Sequence, residues 1–533
     1  MRFHRSTAVI TLCGAAVIGA GCSGRTAEPS DRAVVPPGLE TFYAQSVQWV
    51  PCGEGDTVGW FTGETTPGQV CGHVLAPLDY QAARGHGPAD TATVSLAVTR
   101  RPATGMKEGT LVTISGGPGL PGLPMVEMPF PASVREHFDL VGYDPRGVGR
   151  STPRIDCSNP AGPAPEGSPD PVAAQEQSER ELVAACVRGT GLEVLKHIGS
   201  DEATNDVDLL RAVLGERRIN LLAASYGTQV AAMYATRFPD GYRAAVLDGV
   251  VDTAESENDM LLGQQRGYQQ TFDRVVAYCT GEYRSDTGAE CPLGNEPAAA
   301  EESFKQLLRD TDAQPVPATG GAVSAGEILA ATTNGLLWRS EWDPYLRALA
   351  AVRHGDGTEI RKIAETFSGS ENSESGDIPA PRQPVDGAAG KATDPAAITA
   401  IMCADFAAPT TDRTARQRDA QARHDAASYD DYLPRPAEFP LGTCDLWPFA
   451  GALHPAVPSR PDSAPPLLFV AMRYDPTTPV GNAERMARYL RSPLVVREAD
   501  GHTFVFADVS SCVDNEVVRY LEDPKSVRDK TCD

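Results

Sequence analysis

The sequence predicts an α/β fold: a mostly parallel sheet with helices on both faces, divided by a helical insertion. Three observations predict it. Short apolar runs bounded by turn residues alternate with segments of helical period between about residues 110 and 250, the rhythm of strands buried on both faces. That rhythm gives way to nearly continuous helical spacing from about 253 to 460 and resumes at 466. One apolar run, Ile219 to Ala224, stops at a serine among small residues, and a helical pattern from Val230 to Arg237 follows at once. This is a strand–turn–helix junction of the kind that lifts a serine hydroxyl clear of a sheet.

The chain has 533 residues, long for one core, so two folded parts or one core with a large insertion are expected. Its formal net charge of −24 repels phosphate backbones and argues against nucleic acid as a partner. At the start, Arg2 and Arg5 precede an uncharged apolar run from Ala8 to Ala20, too short to span a membrane and typical of an export signal. It closes on Gly19-Ala20-Gly21-Cys22, small residues before a cysteine, as in a bacterial lipoprotein signal, although Gly19 stands where a larger aliphatic is usual. Residues 1–21 are therefore read as a signal peptide and Cys22 as the lipidation site, with plain secretion as the alternative. A lipid on Cys22 tethers a chain to a membrane without spanning it, the only membrane contact expected.

Residues 22–46 are polar, contain Pro36 and Pro37, and read as a tether. The first part of the core is placed at 47–252. Its strands are expected at Val74–Leu78, Thr93–Thr99, Thr110–Ile114, Phe138–Tyr143, Ile219–Ala224 and Ala244–Leu247, where apolar residues either alternate or run unbroken. Helical spacing covers Glu176–Arg188 and Ala203–Leu214, and Gly215 suits the end of the second. The insertion, 253–460, is expected to hold helices at Asp259–Tyr278, Glu301–Leu308, Ala325–Trp338, Pro344–Arg353 and Arg413–Tyr429. Two stretches rich in Pro, Gly or Ser, 158–171 and 368–395, are expected as loops. The C-terminal part of the core, 461–533, carries strands at Pro466–Met472 and Leu494–Arg497 around a helix at Glu484–Leu490.

Twelve cysteines are present. Apart from Cys13 and Cys22, ten remain, an even number in an exported chain, which implies disulfides. Sequence does not fix connectivity; nearest-neighbour pairing closes the shortest loops and gives 52–71, 157–186, 279–291, 403–444 and 512–532. No Cys-x-x-Cys occurs, so zinc or thioredoxin-like chemistry has no support; no metal or cofactor is expected.

An activated serine needs a base, and the base needs an orienting acid. For Ser225, the one histidine beyond the last expected core strand is His502, in Asp500-Gly501-His502-Thr503. Asp475 follows the preceding strand on a turn stiffened by Pro476 and is the favoured acid. Asp248, at the end of the strand after the serine, is its rival. An oxyanion needs two fixed N–H donors. Tyr226, next to the serine, supplies one; Ser115-Gly116-Gly117-Pro118-Gly119 supplies the other, assigned to Gly117 with Gly116 as the alternative.

Five segments then carry a resemblance: Ser115–Gly119, Asp144–Ser151, Ala224–Gly227, Tyr474–Pro479 and Gly501–Thr503. In this order the chain resembles the α/β-hydrolases. More narrowly, it is similar to the secreted tripeptidyl aminopeptidases and proline-iminopeptidase-related serine peptidases of actinobacteria. The departures are Ala223 at the first elbow position, usually glycine, and Ser115 where related enzymes often have histidine. The resemblance implies an α/β-hydrolase core with an inserted helical cap and a C-terminal segment of paired cysteines, which Cys512 and Cys532 fit. It also implies release of short peptides from a free N-terminus by Ser225, His502 and Asp475. Exopeptidase action then requires carboxylates for the substrate ammonium, for which Asp405 and Glu341 are the candidates. An esterase or lipase using the same triad and an inactive cell-surface binding lipoprotein are the alternative readings.

Overall fold

The computed structural model describes residues 34–53, 68–158, 170–365, 396–409, 412–433 and 437–533. The signal region with Cys22, most of the 158–171 loop and the 368–395 segment lie outside the described residues. Twelve strands are described: β1 (Val50–Pro51), β2 (Val70–Pro77), β3 (Thr93–Arg101), β4 (Gly109–Ile114), β5 (Phe138–Tyr143), β6 (Ile219–Ala224), β7 (Tyr242–Asp248), β8 (Val316–Ala318), β9 (Gly321–Val323), β10 (Leu468–Tyr474), β11 (Leu494–Asp500) and β12 (Lys530–Cys532). Ten of them form one sheet in the order β1-β2-β3-β5-β4-β6-β7-β10-β11-β12. The first three pair antiparallel at one edge; from β5 onward neighbours run parallel.

The strands are buried on both faces because successive apolar residues feed opposite layers. Leu221, Leu247 and Phe469 point to one side, where they meet Val207, Leu210, Val230 and Tyr234 of the helices Ser200–Val213 and Gly227–Arg237. Their chain neighbours Leu222, Val246 and Val470 point to the other, against Val134, Val517 and Tyr520 of the helices Ala132–His137 and Ser511–Glu522. All the strand residues named here are at most 3% exposed, and each such side chain contributes roughly 1.5–3 kcal/mol of hydrophobic stabilisation.

The central strands β4, β6, β7 and β10 each match the predicted apolar runs. Between β7 and β10 the helices Glu257–Tyr278, Pro297–Ala313, Ala325–Leu336, Trp342–Arg353 and Thr358–Glu365 gather around a separate core of Phe272, Phe304, Leu308, Ile328, Tyr345 and Leu349. Tyr429 stacks on Phe272, ring centroids 5.0 Å apart. Among the described residues, no helix is long and apolar enough to cross a membrane. Five disulfides, 52–71, 157–186, 279–291, 403–444 and 512–532, follow the nearest-neighbour pairing.

Several expectations are corrected. The 22–46 tether is too long: Leu39, Phe42 and Tyr43 are buried against the core, and the Tyr43 hydroxyl donates to Asp208 at 3.0 Å. Two prolines masked an apolar triplet that packs. The Arg413 helix ends at His424 rather than Tyr429. Missing from the sequence reading are the helices Ala397–Phe406 and Ser511–Glu522, the β8–β9 hairpin and β12.

Candidate active site

The junction after β6 has the geometry its sequence implies. Ala223 lies within the strand, opposite Ile114 of β4 and Leu247 of β7, and is fully buried. Its methyl fits there because the residue is still extended strand. Ser225 is turned into the left-handed region at φ 53°, a conformation that costs a non-glycine residue of order 1–3 kcal/mol unless its surroundings hold it. They do. The Ser225 N–H donates to the Asp248 carbonyl at 2.8 Å, and its carbonyl accepts from the Thr228 N–H and hydroxyl at 2.8 and 2.6 Å. The helix Gly227–Arg237 starts immediately after.

His502 stands just past β11, 7% exposed. Gly501 before it and Thr503 after it have φ of 136° and 50°, so the chain folds sharply around the ring. The His502 Nδ1 lies 2.8 Å from Asp475 Oδ2 and 3.1 Å from Oδ1. The Asp475 carboxylate also accepts from the N–H groups of Thr477 and Thr478, each at 2.8 Å, and from the Thr478 hydroxyl at 2.8 Å. That hydroxyl lies 3.2 Å from His502 Nδ1, so Thr478 bridges acid and base. Burial disfavours a charged imidazole, but the Asp475 carboxylate outweighs it and, with a smaller contribution from Asp248, holds the His502 pKa above its ordinary value. Among the described residues no hydrogen bond joins Ser225 Oγ to the imidazole. Such a link often tightens only around a substrate.

Asp248 has a different task. Its Oδ2 accepts from the N–H groups of Phe504 and Val505 at 2.6 and 2.8 Å, fixing the loop that carries His502 rather than the ring itself. Burial pushes its carboxyl up to about 6.

On the opposite side of the serine, Gly116 packs so closely that a Cβ there would lie 2.9 Å from Ser225 Cβ. Gly116 is buried and Gly117, at φ 103°, is exposed. Among the described residues the N–H groups of Gly116, Gly117 and Tyr226 meet no protein acceptor. Asp144, whose segment carried part of the resemblance without an assigned role, braces the chain just beyond this loop. Fully buried, it accepts from the N–H groups of Gly122, Leu123 and Arg150 at 2.8, 3.1 and 2.8 Å.

The two carboxylates assigned to the substrate ammonium part company. Asp405 is corrected: it is 0% exposed, and its oxygens accept from the Ser200 N–H, the Ser200 hydroxyl and the Tyr226 hydroxyl at 2.6, 2.7 and 2.8 Å. No face of it is open to a ligand. Glu341 is half-buried, and desolvation raises its pKa with no opposing partner among the described residues. It lies three residues after Trp338, whose indole N–H donates to the His502 carbonyl at 2.6 Å. Sequence reasoning missed Thr478, Trp338 and Arg274. The Arg274 guanidinium lies over the Tyr474 ring, 3.6 Å from its centroid, and pairs with Asp500 through both carboxylate oxygens, the longer bond at 2.7 Å. The Trp338 and Arg274 contacts join the insertion to the core and leave no local sequence signal; Thr478 lies three residues after Asp475, within the same turn.

A strained serine at a strand–helix elbow, a histidine–carboxylate pair past later strands and a largely parallel sheet together define an α/β-hydrolase. Residues 109–319 match the family described as alpha/beta hydrolase fold, and residues 437–532 match that described as TAP-like protein. A putative hydrolase, YuaR, of Escherichia coli K12 is 34% identical, covering 92% of this chain and 94% of its own. The serine protease Hip1 of Mycobacterium tuberculosis H37Rv is 31% identical over 90% of each chain. Tripeptidyl aminopeptidase of Streptomyces lividans is 28% identical over 87% of this chain and 83% of its own. The chain belongs to the α/β-hydrolase family and carries a TAP-like C-terminal segment.

Proposed function

We propose that the protein is an exported serine peptidase that releases short peptides, tripeptides foremost, from the free N-terminus of its substrates. The observation that carries this reading is the buried Asp475–His502 pair, at 2.8 Å, held by the loop that Asp248 ties to the end of the serine's neighbouring strand. Ser225 attacks the scissile carbonyl while His502 Nε2 takes its proton. Asp475 keeps the Nδ1 proton on the far side of the ring and stabilises the imidazolium. The N–H groups of Tyr226 and the Gly116–Gly117 loop receive the oxyanion. His502 then protonates the leaving amine, and water releases the acyl-enzyme. Disulfides throughout the chain accord with an oxidising compartment, and a lipid on Cys22 tethers the enzyme to the cell surface.

End specificity rests on Glu341. Glu341 follows by three residues Trp338, which meets the His502 loop. A carboxylate without a cationic partner among the described residues suits an ammonium, and such a charged hydrogen bond is worth about 1.5–3 kcal/mol. Glu341→Gln raises KM for a tripeptide arylamide roughly 10- to 100-fold with little change in kcat, and leaves the slow turnover of the N-acetylated arylamide unaltered. Equal rates on the free and acetylated substrates of the wild type would remove the exopeptidase reading. A strong preference for short-chain esters over every peptide would replace it with an esterase. Failure of Ser225 to label with a fluorophosphonate would leave only a binding protein.

A further inference from the structure

We infer that Asp405 is a positioning residue for the oxyanion site, acting through Tyr226. The inference rests on the reading above, in which Ser225 is the nucleophile and the Tyr226 N–H a donor. The helix Ala397–Phe406 belongs to the insertion, yet it touches both halves of the oxyanion site. At its C-terminal end the Asp405 carboxylate accepts the Tyr226 hydroxyl at 2.8 Å. At its N-terminal end it backs the glycine loop: a Cβ on Gly119 would lie 3.3 Å from both Ala397 Cβ and the Ile398 nitrogen.

The helix has little freedom to drift. Its Cys403 is bonded to Cys444. Gly199 and Gly451 close on Asp405 from two sides, where added Cβ atoms would lie 2.3 Å from its Oδ1 and its carbonyl oxygen. Ser200 donates to both carboxylate oxygens and its Oγ lies 2.6 Å from the Tyr226 hydroxyl, while Gln229 donates to the Ser200 Oγ at 2.7 Å. Burying a carboxylate completely is costly unless donors surround it; here the donors come from the elbow tyrosine, its helix and the start of a neighbouring core helix. The result is a polar tie between an insertion helix and the residue directly after the nucleophile. Oxyanion donors work only where they aim at the developing charge, so a tie on the Tyr226 side chain sets the aim of its N–H.

The test uses Tyr226→Phe, which removes only the phenolic oxygen, and Asp405→Asn, which keeps shape and one acceptor. Rates are expressed per active site by fluorophosphonate titration. Each variant is expected to lower kcat about tenfold, a fraction of the loss from deleting a donor outright, with KM nearly unchanged. A peptide aldehyde, whose hemiacetal oxygen occupies the oxyanion site, binds about tenfold more weakly. The double variant is no worse than the poorer single one, because both break one tie. Normal kcat per site and normal aldehyde affinity, with only a lower melting temperature, would make Asp405 merely structural. Should Asp405→Asn not fold, Tyr226→Phe decides alone. Ser225→Ala separates the two readings: persistent activity sinks the proposed mechanism, whereas its loss alongside an unimpaired Tyr226→Phe sinks only this inference.

Discussion

Asp475→Asn lowers kcat by about 10³- to 10⁴-fold, whereas Asp248→Asn keeps it within about tenfold. The two acids end adjacent strands and both lie near His502, but only Asp475 touches the ring. Asparagine at 475 cannot hold the Nδ1 proton and stabilise an imidazolium, so the ring loses both its tautomer and its charge partner. At 248, asparagine still offers one oxygen to the Phe504 and Val505 N–H groups that Asp248 binds. The pH dependence carries a second signature. The base works as neutral imidazole, so activity falls as pH drops through the His502 pKa, which Asp475 holds above the ordinary value near 6.5. Removing that carboxylate favours the neutral ring and moves the acid limb of kcat/KM to lower pH. Removing Asp248 moves it in the same direction by less, its effect on the ring being the smaller one. A more damaging effect from Asp248→Asn would reverse the assignment of the acid.

What the sequence made legible follows from how local each signal is. The parallel strands are short, apolar and bounded by turn residues, so β4, β6 and β10 show in a window of a few residues. The serine elbow shows because strand, Ser225 and helix are contiguous. Asp475 and His502, the proposed acid and base, stand out because each follows a strand. Chain order ranks Asp475 above Asp248 as the proposed acid; in the fold Asp475 meets the His502 ring and Asp248 the backbone N–H groups of Phe504 and Val505.

The rest was hidden for physical reasons. Ala397–Phe406 is apolar on nearly all sides, so it lacks the polar face that marks a helical period, and it follows a low-complexity stretch. An aspartate on such a helix reads as a ligand for something outside the protein. Its true partners, Ser200 and Tyr226, lie 205 and 179 residues away, and no spacing rule connects them. Glu341 carried the same label with no better sequence support; what separates the two is burial and satisfaction, which only the fold supplies. The 22–46 tether reads too long in sequence because proline marks loops more loudly than Leu39, Phe42 and Tyr43 mark a core.

Gly227→Ala, one methyl at the other end of the elbow, is expected to destabilise the protein by roughly 1–3 kcal/mol and to lower the activity of the folded fraction. Gly227 does not need glycine for its backbone angle, since its φ is not positive. It needs glycine for room. A Cβ there would lie 2.6 Å from the carbonyl oxygens of both Ile114 and Ser115. These are main-chain atoms at the end of a central strand, which no rotamer change can move. The first turn of the helix must shift away from β4, taking the Tyr226 N–H with it and opening the gap that Gly116 closes on Ser225. Ala223→Gly gives the contrast. That position is strand, with space for a methyl between Ile114 and Leu247, so the change costs only about 1 kcal/mol in backbone entropy and lost packing. Urea unfolding midpoints measured beside kcat per titrated site distinguish the two. Equal small losses from both variants would mean that helix and strand can separate without disturbing the nucleophile, and that the tight crossing is not what holds Ser225 in its left-handed conformation.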